Sequence, residues 1–279
     1  MAYSIEMLSL SKIGRLLKER LGDSASQYLF PDDFEQAVAD IDFTGVAFSS
    51  TSAPYDVTLI GKVNHPCLFG SNIDTTQISS ASWVGVGNDD YTVPINMFFR
   101  CVNLTTVTLP TNTTSLGTSC FNTCSSLTTI NNLSNVTTFG GGGVFCYCTS
   151  LVEINLPKLT AISDSAFSGC TNLKRIYLPS ITSINRNSPF SNCTSLEYLQ
   201  LGSVGNAMTV TGVGTTSNMT QSNLTIDVYA QSSNIINTLL TNLRNKFPNA
   251  TIVFKASADT TYNNNNYDAG DTILTSTPS

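Results

Sequence analysis

Residues 150–170 read SLVEINLPKLTAISDSAFSGC, and residues 172–193 read NLKRIYLPSITSINRNSPFSNC. Superposed, they agree at Leu151 and Leu173, Ile154 and Ile176, Leu156 and Leu178, Pro157 and Pro179, Phe167 and Phe190, and Cys170 and Cys193. Working outward, cysteine marks five such frames, at Cys101, Cys124, Cys148, Cys170 and Cys193, spaced 23, 24, 22 and 23 residues apart. Three residues before each cysteine stands Phe98, Phe121, Phe145, Phe167 or Phe190. Three residues after each stands Leu104, Leu127, Leu151, Leu173 or Leu196. The sixth position after it holds Val107, Ile130, Ile154, Ile176 or Leu199, and the eighth holds Leu109, Leu156, Leu178 or Leu201. In the second frame that last slot slips to Leu133, matching its one extra residue.

A fixed period of this length is the mark of a solenoid, and missing it would misread the whole fold. The segment L-x-x-I-x-L alternates at its end, as a strand does. Proline at 110, 157 and 179 then ends the ladder, because it has no N–H to donate. The chain turns, runs back through a second apolar pair (Leu159/Ile162, Ile181/Ile184) and returns through F-x-x-C. One turn cannot bury its own apolar face, so the turns stack on a shared core. The expectation is one parallel ladder about 4.8 Å per turn, running through all five frames.

The two quoted segments resemble the BspA-like leucine-rich repeat family, over about residues 78–228. The resemblance implies a mainly-β leucine-rich-repeat solenoid with short parallel strands. Such solenoids are recognition scaffolds for many ligands, so the fold alone does not fix a function.

The repeat decays at both ends. Counting back 23 residues from Cys101 gives Ile78, and puts Ala81, Val84 and Val86 in core slots. A further atypical turn is expected around Val57-Thr58-Leu59. At the other end, 223–230 reads as a strand, 232–247 as a helix capped by Ser232 or Ser233, and 251–256 as a closing strand. The division expected is a helical docking module at 1–43, N-terminal capping turns at 44–100, repeats at 101–222, a C-terminal β-α-β cap at 223–258 and a flexible tail at 259–279.

Residues 4–21 read as an amphipathic helix and 30–42 as a second, acidic in its first turn. The pattern, with Lys12-Ile13, Leu16-Leu17, Phe30-Pro31-Asp32-Asp33-Phe34 and Ala39-Asp40-Ile41, resembles a module of tailed-bacteriophage structural proteins. That resemblance implies an assembly interface through Ile13, Leu16, Leu17, Phe34 and Val38, with other virion proteins as partners. A helical cap on the solenoid is the alternative.

Composition excludes much chemistry. Of 279 residues only 11% are charged, against about 25% in ordinary domains. Thirteen cations against nineteen acids leave a net charge of −6, too little to neutralise a phosphate backbone, so nucleic acid is not an expected partner. With one histidine, His65, a multi-histidine metal site cannot be built. No apolar run approaches the roughly 18 residues of a membrane span. Charges inside residues 4–21 argue against a secretory leader there, and the expectation is a chain kept in the cytoplasm.

The five framed cysteines should stack as buried small hydrophobes rather than metal ligands. A disulfide between Cys120 and Cys146 is left open. GGGG at 140–143 lacks the Lys-Ser/Thr of a phosphate loop and reads as a turn. No catalytic residue, metal or cofactor is expected.

Between the core slots, two side chains per frame point outward on the concave strand face. One row is Thr106, Thr129, Glu153, Arg175 and Tyr198; the next is Thr108, Asn131, Asn155, Tyr177 and Gln200. Glu153, Arg175, Tyr177, Tyr198 and Gln200 are the candidate ligand-binding residues, since aromatic and bidentate side chains on a rigid sheet suit recognition of a glycan or protein surface. The alternative is a face that is merely solvated.

The reading that follows is a non-enzymatic virion appendage of a tailed phage, assembled in the host cytoplasm and recognising a host surface. The alternative is a BspA-like cell-surface adhesin of a bacterium or protist. Oligomeric state is left open, as no heptad run specifies a trimer.

Overall fold

The computed structural model describes residues 7–9, 45–48, 55–61, 75–84, 86–184, 186–209 and 219–278. In chain order the strands are β1 (Met7–Ser9), β2 (Gly45–Phe48), β3 (Tyr55–Ile60), β4 (Ile78–Val84), β5 (Tyr91–Val93), β6 (Thr106–Thr108), β7 (Thr113–Leu116), β8 (Thr129–Asn131) and β9 (Thr138–Phe139). There follow β10 (Glu153–Asn155), β11 (Arg175–Leu178), β12 (Tyr198–Leu201), β13 (Thr225–Ala230), helix α1 (Ser233–Lys246), β14 (Thr251–Ala256), β15 (Thr260–Tyr262), β16 (Asn265–Tyr267) and β17 (Thr272–Ser276). The molecule is a mainly-β solenoid of stacked parallel strands.

Each frame contributes one short strand centred on the I of L-x-x-I-x-L. The core slots pair with one another across turns: Val107 with Ile130, Ile154 with Ile176, and Ile176 with Leu199. The second apolar segment forms a separate parallel ladder, β5-β7-β9, continued by the Ala161–Ser183 bridge. The F-x-x-C corner closes the coil. Its phenylalanines form a column, with ring centroids 5.4, 5.4, 5.5 and 6.2 Å apart and planes within 8° of parallel. Trp83 caps that column edge-on, 5.7 Å from Phe98. The five framed thiols are buried, and the last four each donate to the carbonyl of the phenylalanine one turn back. Cys124 bonds Phe98 at 3.0 Å, Cys148 bonds Phe121 at 3.1 Å, and Cys170 and Cys193 bond Phe145 and Phe167, both at 3.0 Å. Cys120 and Cys146 are free thiols.

The corner has a backbone cost. The residues one and five before each framed cysteine adopt positive φ: Asn96 and Arg100, Ser119 and Thr123, Gly143 and Tyr147, Ser165 and Gly169, Ser188 and Asn192. Only Gly143 and Gly169 do so freely. The corners hold because backbone bonds tie each to the next, such as Thr123 N–H to Cys146 O at 2.7 Å and Gly169 N–H to Ser191 O at 2.7 Å. The GGGG segment at 140–143 is a bend between repeat segments.

Four expectations are corrected. Met7–Ser9 lies in a strand paired in parallel with β2, not in a helix. The sequence MLSLS also alternates, and the backbone partners of a sheet edge favour that period over the helical one. The rest of 1–43 lies outside the described residues, including Ile13, Leu16, Leu17, Phe34 and Val38, as do His65 and Cys67. Second, Ala81 sits opposite Val107, a separation of 26 residues, so counting by 23 assigned that slot to Val84 wrongly. Third, the tail expected to be flexible supplies the β15–β16 hairpin and β17, which pairs antiparallel with β14. Strand β13, helix α1 and strand β14 follow one another over 225–256, with Ser232 accepting from the Ile235 N–H, and β17, not β14, ends the sheet.

Fourth, the main ladder is not continuous. One six-stranded sheet runs β1-β2-β3-β4-β6-β8 and another runs β10-β11-β12-β13-β14-β17, and no strand pairing joins β8 to β10. The extra residue of the second frame is the cause. Asn132 takes φ 67° and leads into a 3-10 turn at Leu133–Asn135. Ile130 is left half-buried, where its counterparts in the other frames are buried. The rest of the coil keeps its spacing across the split, with Phe121 and Phe145 at 5.4 Å and Ser150 N–H to Ser125 O at 3.0 Å.

Leu173 is fully buried. Leu173→Ala is expected to cost about 2–5 kcal/mol by urea unfolding; a loss below about 1 kcal/mol would place it outside the core. The thiols give a second expectation. Burial pushes those of Cys124, Cys148 and Cys170 well up, and that of Cys193 up to about 12. An unfolded thiol ionises near 8.5. Unfolding above that pH therefore releases protons. Thiol-linked stability is complete below about pH 8.5 and falls as pH rises towards the folded values, by about 1.4 kcal/mol per pH unit for each thiol. Urea midpoints at pH 8, 9 and 10 measure the slope, and Cys148→Ala is expected to flatten it.

Candidate recognition face

The five residues singled out in the sequence are brought together. In β10, β11 and β12 the register sets Glu153 beside Arg175 beside Tyr198, and Asn155 beside Tyr177 beside Gln200. Alternation turns these side chains away from the core while Ile154, Ile176 and Leu199 point in. Adjacent positions in a row are therefore about 4.8 Å apart. Glu153 and Arg175 form an ion pair at 3.7 Å, and Lys174 and Glu197 form another at 3.3 Å beside it. Both pairs are well exposed, so they order the surface more than they stabilise it. The rings of Tyr177 and Tyr198 lie 5.5 Å apart, tilted by 47°. Gln200 donates to the Gly202 carbonyl at 2.9 Å, which fixes its amide.

The rows run on past the cysteine frames. Gln200 is followed by Asp227 on β13, and Tyr229 on β13 faces Lys255 on β14. Asp227 is buried. Its Oδ2 accepts from the Tyr198 hydroxyl at 2.8 Å and from Lys255 Nζ at 2.6 Å. Lys255 Nζ also stands 5.8 Å from the Tyr229 ring centroid. Burial first, and then the Asp227 carboxylate, push the Tyr198 phenol well above the usual tyrosine range. The hydrogen bond to Asp227 raises Lys255. Tyr198 is thus held as a neutral donor, and its ring braces Tyr177.

Sequence reasoning missed Asp227, Tyr229 and Lys255, because β13 and β14 carry no cysteine to set the frame. The alternation in TIDVYA and TIVFKA is the signal that places all three outward. The Thr106/Thr129 and Thr108/Asn131 parts of the rows belong to the other sheet, beyond the split. There the surface is hydroxyl and amide, with Asn131 Nδ2 donating to Thr108 Oγ1 at 3.0 Å.

Among the described residues no group of three His, Cys, Asp or Glu could hold a metal ion, and no helix is long and apolar enough to cross a membrane. The seven described cysteines are buried free thiols, and burial pushes those of Cys124, Cys148, Cys170 and Cys193 away from the thiolate form that nucleophilic chemistry needs.

Stacked strand-and-corner turns with a shared core define a leucine-rich-repeat solenoid. Residues 78–197 match the family model of the BspA type leucine rich repeat region in six copies. Solved structures are similar at low identity. A leucine-rich repeat protein of T. pallidum is 20% identical, with TM-score 0.42, over 67% of this chain and 82% of that one. A leucine rich cell surface protein of Faecalibacterium prausnitzii A2-165 is 20% identical, with TM-score 0.40, over 55% of this chain and 52% of that one. A leucine-rich repeat protein of Bacteroides ovatus is 19% identical, with TM-score 0.42, over 67% of this chain and 48% of that one. The chain thus spans about half the length of the latter two. No curated protein matches.

The Asp227 hub gives a direct measurement. Asp227→Asn removes the charge that helps keep the Tyr198 proton in place. The Tyr198 phenolate, read at 295 nm as a difference from Tyr198→Phe, is expected to appear at lower pH in Asp227→Asn. An unchanged titration would mean that burial alone sets it.

Proposed function

We propose that the chain is a non-enzymatic recognition protein of the cell-surface adhesin type, gripping a surface glycan or protein on the face of β10–β14. One observation carries this reading: Tyr177, half-exposed, stands opposite Gln200 and against a Tyr198 ring that is itself tethered to buried Asp227. A rigid aromatic anchor with polar neighbours loses little entropy on binding. Glu153 is paired with Arg175, and Asp227 with Lys255 and Tyr198, so the carboxylates build the surface. The BspA-type repeat supports adhesion to cell-surface partners as the setting.

The virion reading leans on a helical docking module over 1–43. Its one described stretch, Met7–Ser9, joins the repeat sheet instead. The adhesin reading needs no such module and is the better supported.

The test is binding of the labelled chain to arrays of surface glycans and extracellular-matrix proteins. The wild type is expected to select a small set. Tyr177→Ala, which leaves the Tyr198–Asp227 bond intact, is expected to weaken that binding at least tenfold with an unchanged melting temperature. Equal binding by variant and wild type would remove the face from the account.

A further inference from the structure

The split between β8 and β10 holds a cavity of about 250 Å³. Ile130, Leu133, Leu151, Ile154 and Pro157 supply its apolar wall. Thr128, Ser134, Glu153 and Asn155 supply its polar lining. A cavity of about 150 Å³ already admits benzene, and drug-sized sites begin near 300 Å³. The space therefore suits one substituted six-membered ring.

We propose that this split is a subsite for a single neutral sugar ring. The inference rests on the recognition reading above and names the ligand class for the edge of that face. A pyranose has one face of C–H groups and an edge of hydroxyls, and the cavity has the matching halves. Glu153 and Asn155 are two apart on β10 and so leave the strand on the same side, roughly 7 Å apart. Carboxylate and amide are planar; the first accepts at two oxygens, and the second both donates and accepts. Neighbouring sugar hydroxyls, each a donor and an acceptor, satisfy such a pair.

Other ligand classes fit less well. A flat aromatic ring would find no aromatic residue lining the cavity to stack on. A cation would have to compete with Arg175, which already stands 3.7 Å from the Glu153 carboxylate. The surroundings extend the site. Tyr177 faces Asn155 across the β10–β11 pair, so a second sugar leaving the cavity would pass over its ring. The irregularity is also built, because Asn132 Nδ2 is tied to the Leu109 carbonyl at 2.6 Å and holds the turn that opens the split. Between β10, β11 and β12 strand pairing fills the corresponding space.

The test uses the full chain and methyl glycosides of glucose, galactose, mannose and N-acetylglucosamine, by saturation-transfer NMR and calorimetry. One or more is expected to bind with a Kd of about 1 mM, the scale that ligand efficiency sets for about thirteen heavy atoms. Ile130→Phe, which fills the cavity, and Asn155→Ala are expected to weaken binding at least tenfold with the melting temperature held. Glu153→Ala should do the same, and Glu153→Gln should recover most of the loss. Binding of none of the four glycosides overturns the proposal. So does binding of phenethylamine that Glu153→Gln abolishes, which would make the cavity a cation site. If Tyr177→Ala removes array binding while Ile130→Phe leaves both array and glycoside binding intact, this inference fails and the recognition face stands. If the wild type binds nothing on the arrays yet binds a glycoside that Ile130→Phe displaces, the subsite stands and the adhesin reading fails.

Discussion

A thiol donating to a phenylalanine carbonyl one turn back recurs four times along this molecule, beside a column of five parallel rings. Everything else depends on that contact. It fixes the corner of each cysteine frame directly over the corner before it, and so sets the register of the strands that pair within those frames. Each ring gains stacking beyond its buried area, and each thiol gives a second bond to a carbonyl that already accepts the backbone N–H of the cysteine in its own corner. Those gains hold corner residues such as Arg100, Thr123 and Asn192 at positive φ, where they would not rest alone. The arrangement is cooperative by construction: a single corner would have no carbonyl below it to bond and no ring to stack on.

The repeat was legible because this contact demands the same residue types at the same spacing. Phenylalanine, cysteine and the three leucine-like slots cannot drift without breaking the column. What lacked that demand was not legible. Met7–Ser9 satisfies both a helical and an alternating pattern, and only the presence of β2 decides between them. Ala81 could not be placed by counting, because β4 lies before the first of the regularly spaced F-x-x-C frames, at Cys101. The asparagine-rich sequence around β15, β16 and β17 carries little apolar signal, yet β17 gains its partner from the edge of β14. The Glu153, Arg175, Tyr177, Tyr198 and Gln200 face followed from simple alternation. Its continuation through Asp227 and Lys255 did not, because the frame had ended.

The two halves of the outward surface differ in physical character. On β6 and β8 the rows are threonine and asparagine, and threonines further back in the coil reach the turn behind them, as Thr128 Oγ1 does to the Thr105 carbonyl at 3.1 Å. Such a surface spends its hydrogen-bonding capacity on the solenoid itself. On β10–β14 the side chains are long, charged and aromatic, and a buried aspartate orders them from beneath. An aspartate with two donors on one oxygen is costly to bury unless both remain in place. The tether therefore fixes Tyr198 and Lys255 together, and the Tyr177 ring beside them inherits a defined orientation.

A perfectly regular solenoid can present rows but not pockets, because each strand seals the gap beside its neighbour. Concavity has to come from a fault in the repeat. Here the fault is one residue long, sits in the second frame, and is confined to the strand side of the coil. The phenylalanine column passes it without a change of spacing, with Phe121 and Phe145 still 5.4 Å apart. The core therefore tolerates the insertion at little cost, while the outer face gains a cavity beside its most polar and aromatic residues. Separation of the two sides is what makes this fold adaptable. The corner carries the stability, so the strand side is free to vary in length, and a single extra asparagine there opens a cavity in what is otherwise a ladder.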